Sequence, residues 1–207
     1  MLDGALKPHI DPIMTRLGAG LVKMGFTADL VTIGGLVLGL VAAAFIAFEL
    51  YLLGMIFLLV SRIFDGLDGA VARLTQPTDF GGYLDITLDF VFYGAIPLAF
   101  VIADPAQNGL AGAVLIFTFY INGASFLASA IMAEKRKLTT TQRGQKSFFF
   151  TTGLAEATET IAVFVLFCLV PAWFAPIAYV FAAICAYTAL ARIVQTRAML
   201  NQTASSA

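Results

Sequence analysis

The chain has 207 residues, of which 60% are hydrophobic and only 12% charged, with a formal net charge of -1. With a mean hydropathy of +0.91, this balance excludes an ordinary water-soluble domain and points to an integral membrane protein whose apolar surface meets lipid. No nucleic-acid partner is expected, and a single histidine, His9, leaves no material for a His-rich metal site or a Ser-His-Asp triad.

Along the chain, the first 26 residues carry charge throughout and no long apolar run, which argues against a cleavable signal. "HIDPIMTRLGAGLVKMGF" mixes apolar and basic residues at helical spacing, and predicts an amphipathic juxtamembrane helix within residues 1–27, lying on the inner leaflet. A span needs about 20 apolar residues. Six stretches qualify: Leu30 to Leu50, Leu52 to Leu74, Phe80 to Ala103, Leu110 to Met132, Phe148 to Val170 and Pro176 to Val194. The expectation is a single all-α membrane domain over residues 1–207, with a six-helix core at 28–197 and a polar tail at 198–207. Cys168 and Cys185 fall inside spans and read as small apolar fillers. Gly35 and Gly39 allow close helix packing, within the chain or in a dimer.

Basic residues fix the expected orientation. Lys7, Arg16 and Lys23 precede the first span, Arg73 closes the second, Lys135, Arg136, Lys137, Arg143 and Lys146 lie between the fourth and fifth, and Arg192 and Arg197 follow the sixth. The other breaks carry no Lys or Arg. Both termini and the turn at Pro77 are therefore expected in the cytoplasm, in a multi-pass inner-membrane protein.

Against this apolar background, "DGLDGAVARLTQPTDFGGYLD" and the four residues after it place Asp65, Asp68, Asp79, Asp85 and Asp89 in one window. A carboxylate in hydrocarbon is expensive, so such a cluster needs a compensating partner. Spans two and three run antiparallel around Pro77, which sets Asp65 level with Asp89, about 18 Å from the turn, and Asp68 nearly level with Asp85, at about 12 to 14 Å. Asp65 and Asp68 form an i,i+3 pair and Asp85 and Asp89 an i,i+4 pair, so each pair shares a helix face. Four converging acids repel unless cations intervene. Oxygen-only ligation favours Mg²⁺, Mn²⁺ or Ca²⁺ over zinc, and two ions about 3.5 to 4 Å apart would suit phosphoryl chemistry. Gly66, Gly69, Ala70, Ala72, Gly81 and Gly82 remove bulk beside the acids, so that a backbone or a flat ligand can approach. Asp79 reads as a helix N-cap. Pairing with Arg62 and Arg73 alone leaves the acids under-neutralised; of the two, Arg62 is expected to pair with Asp65.

The pattern Asp65-x-x-Asp68-Gly69-x-x-Ala72-Arg73, then Gly81-x-x-x-Asp85-x-x-x-Asp89, fixes eight residues over 25 positions. It closely resembles the signature of the CDP-alcohol phosphotransferases, membrane enzymes of phospholipid headgroup synthesis. Here seven residues, "LTQPTDF", stand where that signature has eight, and "TADLVT" matches the family's Pro-Asn and Thr only at Thr32. The resemblance implies a six-helix, homodimeric transferase with a cytoplasmic active site. It would move a phosphatidyl group from a CDP-linked donor, CDP-diacylglycerol in bacteria-like members, to an alcohol acceptor and release CMP. It also implies roles. Asp65, Asp68, Asp85 and Asp89 would bind Mg²⁺ or Mn²⁺, with Asp89 also the general base, and Thr32, Gly69, Ala72, Arg73 and Gly81 would contact the CDP group.

Acceptor recognition has weaker candidates. Arg136 and Arg143 in "EKRKLTTTQRGQK" either bind an acceptor phosphate or only set topology. Glu156 and Glu159, one i,i+3 step apart, either face the same cavity or mark a helix end. Two other functions use clustered aspartates. A divalent-cation transporter would use them for conduction, yet this chain shows no repeated halves. A membrane prenyltransferase would carry its two acidic motifs on well-separated helices.

Overall fold

The computed structural model describes residues 2–135 and 155–204. Among these the elements are α1 (Leu2–Lys23), α2 (Ala28–Ala47), α3 (Tyr51–Leu74), α4 (Asp79–Ala103), α5 (Pro105–Lys135), α6 (Ala157–Leu169), a 3-10 turn at Pro171–Trp173, and α7 (Phe174–Ala204). The all-α expectation holds.

Among the described residues, four stretches are long and apolar enough to cross a membrane: α2, α4, α5 and Pro171–Asn201. The expected six spans are met only to that extent. α3 has 24 residues but carries Arg62, Asp65, Asp68 and Arg73. α6 has 13, and the first part of the span expected from Phe148 lies outside the described residues.

Several helix starts correct the sequence reading. Thr78, not Asp79, caps α4: its Oγ1 accepts from Gly81 N at 2.9 Å, while Asp79 occupies the first turn, where a negative charge favours the helix dipole. α5 begins five residues before the predicted Leu110, because Asp104 Oδ1 accepts from Gln107 N at 3.0 Å and Pro105 opens the helix. Thr27 caps α2 through Leu30 N at 3.3 Å. At the other ends, Gly25 (φ 85°) and Glu49 (φ 61°) hold left-handed turns. After Glu49 the Leu50 N–H returns to Phe45 O at 2.9 Å, a closure glycine usually makes.

A helix does form over the N-terminal segment, and it docks on protein. Met14, Leu21 and Val22 pack on Val31, Leu67 and Val71. A Cβ at Gly18 would lie 3.2 Å from Ala70 Cβ, and one at Gly66 would lie 3.6 Å from Met14 Sδ. Gly66 and Ala70 therefore serve the contact between α1 and α3.

α2 packs along both α3 and α4, α5 packs on α7 and α4, and α6 rests on α3. Water is not the driving force between helices in lipid, so close packing has to hold them. Gly39 shows how tight this is: a Cβ there would come within 2.6 Å of Phe92 Cδ2. Gly35 and Gly39 are buried within the chain, so that stripe is used internally and any dimer needs another face. The core is aromatic: Phe92, Phe100, Phe164, Phe167 and Phe174 are fully buried, with Phe100 stacked on Phe174 at 4.9 Å and Phe92 at 6.2 Å from Phe164. Cys168 and Cys185 are buried free thiols, as expected of fillers.

Candidate active site

The acids of α3 and α4 meet above α2. Asp65, Asp68 and Asp85 each bring one carboxylate oxygen within 4.8 Å of the others. Asp68 is 6% exposed, and its Oδ2 is buried without a hydrogen-bond partner. A buried, orphaned carboxylate oxygen is costly. Beside two further carboxylates, and with no nitrogen or sulfur ligand in the group among the described residues, it fits a hard divalent cation.

Asp89 is joined to this group through Arg62. Arg62 Nη1 donates to Asp89 Oδ1 at 2.9 Å and lies 3.3 Å from Asp65 Oδ1. The expected pair with Asp65 is present, but the closer partner is Asp89, 27 residues away. The guanidinium carbon lies 3.6 Å from the centre of the Phe92 ring. Arg62 Nη2 donates to Ser61 Oγ at 3.2 Å, and Ser61 Oγ donates to Gly35 O at 2.7 Å. This cation is fixed from three sides, and only 9% of its side chain is exposed. Nothing in the acidic motif marks Arg62. The available signal was its place one turn before Asp65, with Phe92 and Tyr93 one turn after Asp89.

A small cavity opens between these groups, lined by Thr32, Gly35 and Leu36 of α2, Arg62 and Asp65 of α3, and Asp85, Leu88 and Asp89 of α4. Thr32 Oγ1 donates to Ala28 O at 3.0 Å. Ala72 is half-buried and Arg73 exposed; a Cβ at Gly69 would lie 3.4 Å from Arg73 Nη1, so the guanidinium folds over that glycine. At Gly81 a Cβ would approach Thr78 Oγ1 at 3.0 Å and Asp29 Oδ1 at 3.1 Å. Gly69, Ala72, Arg73 and Gly81 are not among the residues that line this cavity.

Among the acceptor candidates, Arg136 and Arg143 lie outside the described residues. Glu156 is the N-cap residue of α6, and Glu159 stands in its first turn. On the far helices, Arg192 Nη1 reaches Asn122 O, Asn122 Oδ1 and Ser125 Oγ at 2.8 to 2.9 Å. It ties α7 to α5, an interhelical role that the sequence reading assigned only to topology.

A family model for CDP-alcohol phosphatidyltransferase matches residues 26–199, a range that contains every one of these acids. The chain belongs to the CDP-alcohol phosphatidyltransferase family. It is a membrane transferase of phospholipid synthesis, as the motif implied. Relatives include the inner membrane protein YnjF of Escherichia coli, 46% identical over 193 residues, covering 93% of this chain and 94% of that one. An archaetidylinositol phosphate synthase of Pyrococcus horikoshii is 35% identical over 85 residues, 41% of this chain and 45% of its own. Among solved structures, the phosphatidylinositol phosphate synthase PgsA1 of Mycobacterium tuberculosis with CDP-DAG bound has a TM-score of 0.64 at 22% identity, with 92% of each chain covered. The same enzyme in complex with manganese and citrate has a TM-score of 0.63 at 23% identity, covering 91% of this chain and 87% of that one. At those identities the likeness shows the phosphatidyltransferase fold.

Proposed function

We propose that the protein transfers a phosphatidyl group from CDP-diacylglycerol to an alcohol hydroxyl and releases CMP. The observation that carries this reading is the convergence of Asp65, Asp68 and Asp85 within 4.8 Å, with a buried orphan oxygen on Asp68, beside a cavity that Asp89 also lines. Magnesium or manganese held by these carboxylates would polarise the diphosphate and stabilise the charge on departing CMP. Asp89 takes the proton of the acceptor hydroxyl as that oxygen attacks in line; its position on the cavity wall gives it access. Arg73, exposed in the last turn of α3, neutralises diphosphate charge, while Gly69, Ala72 and Gly81 leave room for the nucleotide and Thr32 lines the α2 side.

The diacyl chains stay in lipid while the headgroup enters from the cytoplasm, the side assigned by the basic residues. α1, carrying Arg16 and Lys23, docks beside the acidic turns of α3, which supports that orientation for the N-terminus. Acceptor selection falls to Glu156 and Glu159, at the start of α6, which rests against α3, together with Arg136 and Arg143 of the basic segment. Nothing in the site favours cation transport or prenyl transfer over this reading.

The test is CMP release by purified protein in lipid nanodiscs, with Mn²⁺, CDP-diacylglycerol and separate radiolabelled glycerol phosphate, inositol phosphate and serine. One acceptor should yield a labelled lipid in step with CMP, and Asp89→Asn should lower the rate by about 100-fold or more with an unchanged melting temperature. Full turnover by Asp89→Asn would remove it from the base role. Metal flux into proteoliposomes without nucleotide would favour the transporter.

A further inference from the structure

α4 and α5 run antiparallel with only Asp104 between them, and two glycines of α5 receive side chains of α4. A Cβ at Gly112 would run into Val101 Cγ2, and one at Gly123 into Cε1 and Cζ of the Phe90 ring. Val101 lies eleven residues after Phe90, and Gly123 eleven after Gly112, which is about three turns on each helix. Both pairs therefore keep one antiparallel register and use one face of each helix. A residue with a Cβ would fill either notch, so the two pegs fix how α4 is turned and how far it slides along α5.

The notch at Gly123 stands at the level of the site. Phe90 follows Asp89 directly, and Phe92 is pressed against Gly39 of α2. At about 100° per residue, Phe90 and Phe92 leave α4 about 200° apart, on nearly opposite sides. α4 is gripped from α5 and from α2 at the turn that carries Asp89. The α5 side of this grip is braced in turn: Arg192 Nη1 of α7 donates to Asn122 O, Asn122 Oδ1 and Ser125 Oγ at 2.8 to 2.9 Å, on either side of Gly123.

We infer that Gly123 is a positioning residue for Asp89: the notch it leaves on α5 holds Phe90, and so sets the rotation of α4 that turns Asp89 to the cavity. Gly123 does not line that cavity, and acts through Phe90. Because Phe90 is 41% exposed, a side chain at position 123 either drives the ring toward lipid or pushes the helix away. In both cases α4 loses its stop beside Asp89. Misplacing a reacting group by about 1 Å can cost about 100-fold in rate. The notch at Gly112 holds the same two helices together about three turns from Asp89, and so serves packing without setting the acid. The inference rests on the transferase reading above, in which Asp89 is the base.

The experiment compares the two notches in the full chain in lipid nanodiscs, reading CMP release with Mn²⁺, CDP-diacylglycerol and a mixture of glycerol phosphate, inositol phosphate and serine, beside the melting temperature. Gly123→Ala should lower kcat by about tenfold or more and leave KM for CDP-diacylglycerol within about twofold. Gly112→Ala should lower the melting temperature as Gly123→Ala does, yet keep kcat within about twofold. Adding Phe90→Leu to Gly123→Ala makes room for the new methyl group, and should bring kcat back to within about threefold of wild type. Full kcat in Gly123→Ala, equal losses at the two glycines, or no recovery in the double variant would overturn the inference and leave the transferase reading intact. No CMP release by wild type would overturn both. Should Gly123→Ala fail to fold, Phe90→Ala empties the same notch from the other helix, and must show the same fall in kcat with KM held.

Discussion

In α4, Phe92 and Phe100 are fully buried among rings, whereas Asp85 and Asp89, one to two turns earlier, line a cavity with Arg62 and Asp65. The helix is one continuous element, yet the two regions are held by different means. Rings pack by shape and volume, and another large apolar residue can partly replace one. The acids depend on identity: Asp68 has a buried oxygen without a hydrogen-bond partner, and Asp89 is held by one nitrogen of Arg62. Stability should therefore come mainly from the aromatic half and activity from the acidic half, with Phe92 as the hinge between them.

The largest effect that would sharpen this contrast is Asp85→Asn. Turnover should fall by about three orders of magnitude, some 4 kcal/mol of transition-state stabilisation, while the melting temperature in detergent holds or rises because a like charge is removed from a crowded site. A parallel loss of folding would break the contrast. Phe167→Ala should do the reverse. It deletes a fully buried ring lying 4.6 Å from Phe174 and 5.5 Å from Phe100, and should cost about 3 to 5 kcal/mol of stability. CMP release per folded molecule should remain within about twofold, because the ring partners of Phe167 are Phe100, Phe164 and Phe174, none of which lines the cavity.

Gly39→Val tests the boundary, with a smaller effect of about 1 to 3 kcal/mol from overpacking. The new side chain would press on Phe92, the ring beneath Arg62, and on Ser61 Oγ, 3.0 Å from the added Cβ. Both the melting temperature and the turnover per folded molecule should drop. A change in one alone would show that Phe92 does not couple the two regions.

Much of the acidic region could be read in the sequence because its logic is local. Spacing gave the depth of each carboxylate around Pro77, and the eight-residue pattern identified the family. Depth is not azimuth, however, and the sequence could not show that Asp89 would turn to Arg62. Their contact spans 27 residues and two helices, and depends on α2 supplying Gly35 beneath Ser61. The part of α2 in the site was visible only as Thr32, because Gly35 and Leu36 look like any apolar span. α5 starts at Pro105 and not at Leu110 because Asp104 followed by proline is itself a start signal, one that an apolar count passes over. α3 was expected as a span whose half nearest Pro77 carries charge, and those charges keep it apart from the long apolar helices. The turn at Gly25 carried a glycine, whereas Glu49 adopts the same left-handed backbone without one.

Metal-dependent chemistry is tested most directly at Asp68, the buried carboxylate whose Oδ2 has no hydrogen-bond partner. CMP release from CDP-diacylglycerol should be measured for wild type and Asp68→Cys with Mg²⁺ and with the thiol-preferring Cd²⁺. The account predicts that the variant, folded as wild type, is inactive with Mg²⁺ and recovers turnover with Cd²⁺. Wild-type rates from Asp68→Cys in Mg²⁺ would contradict it.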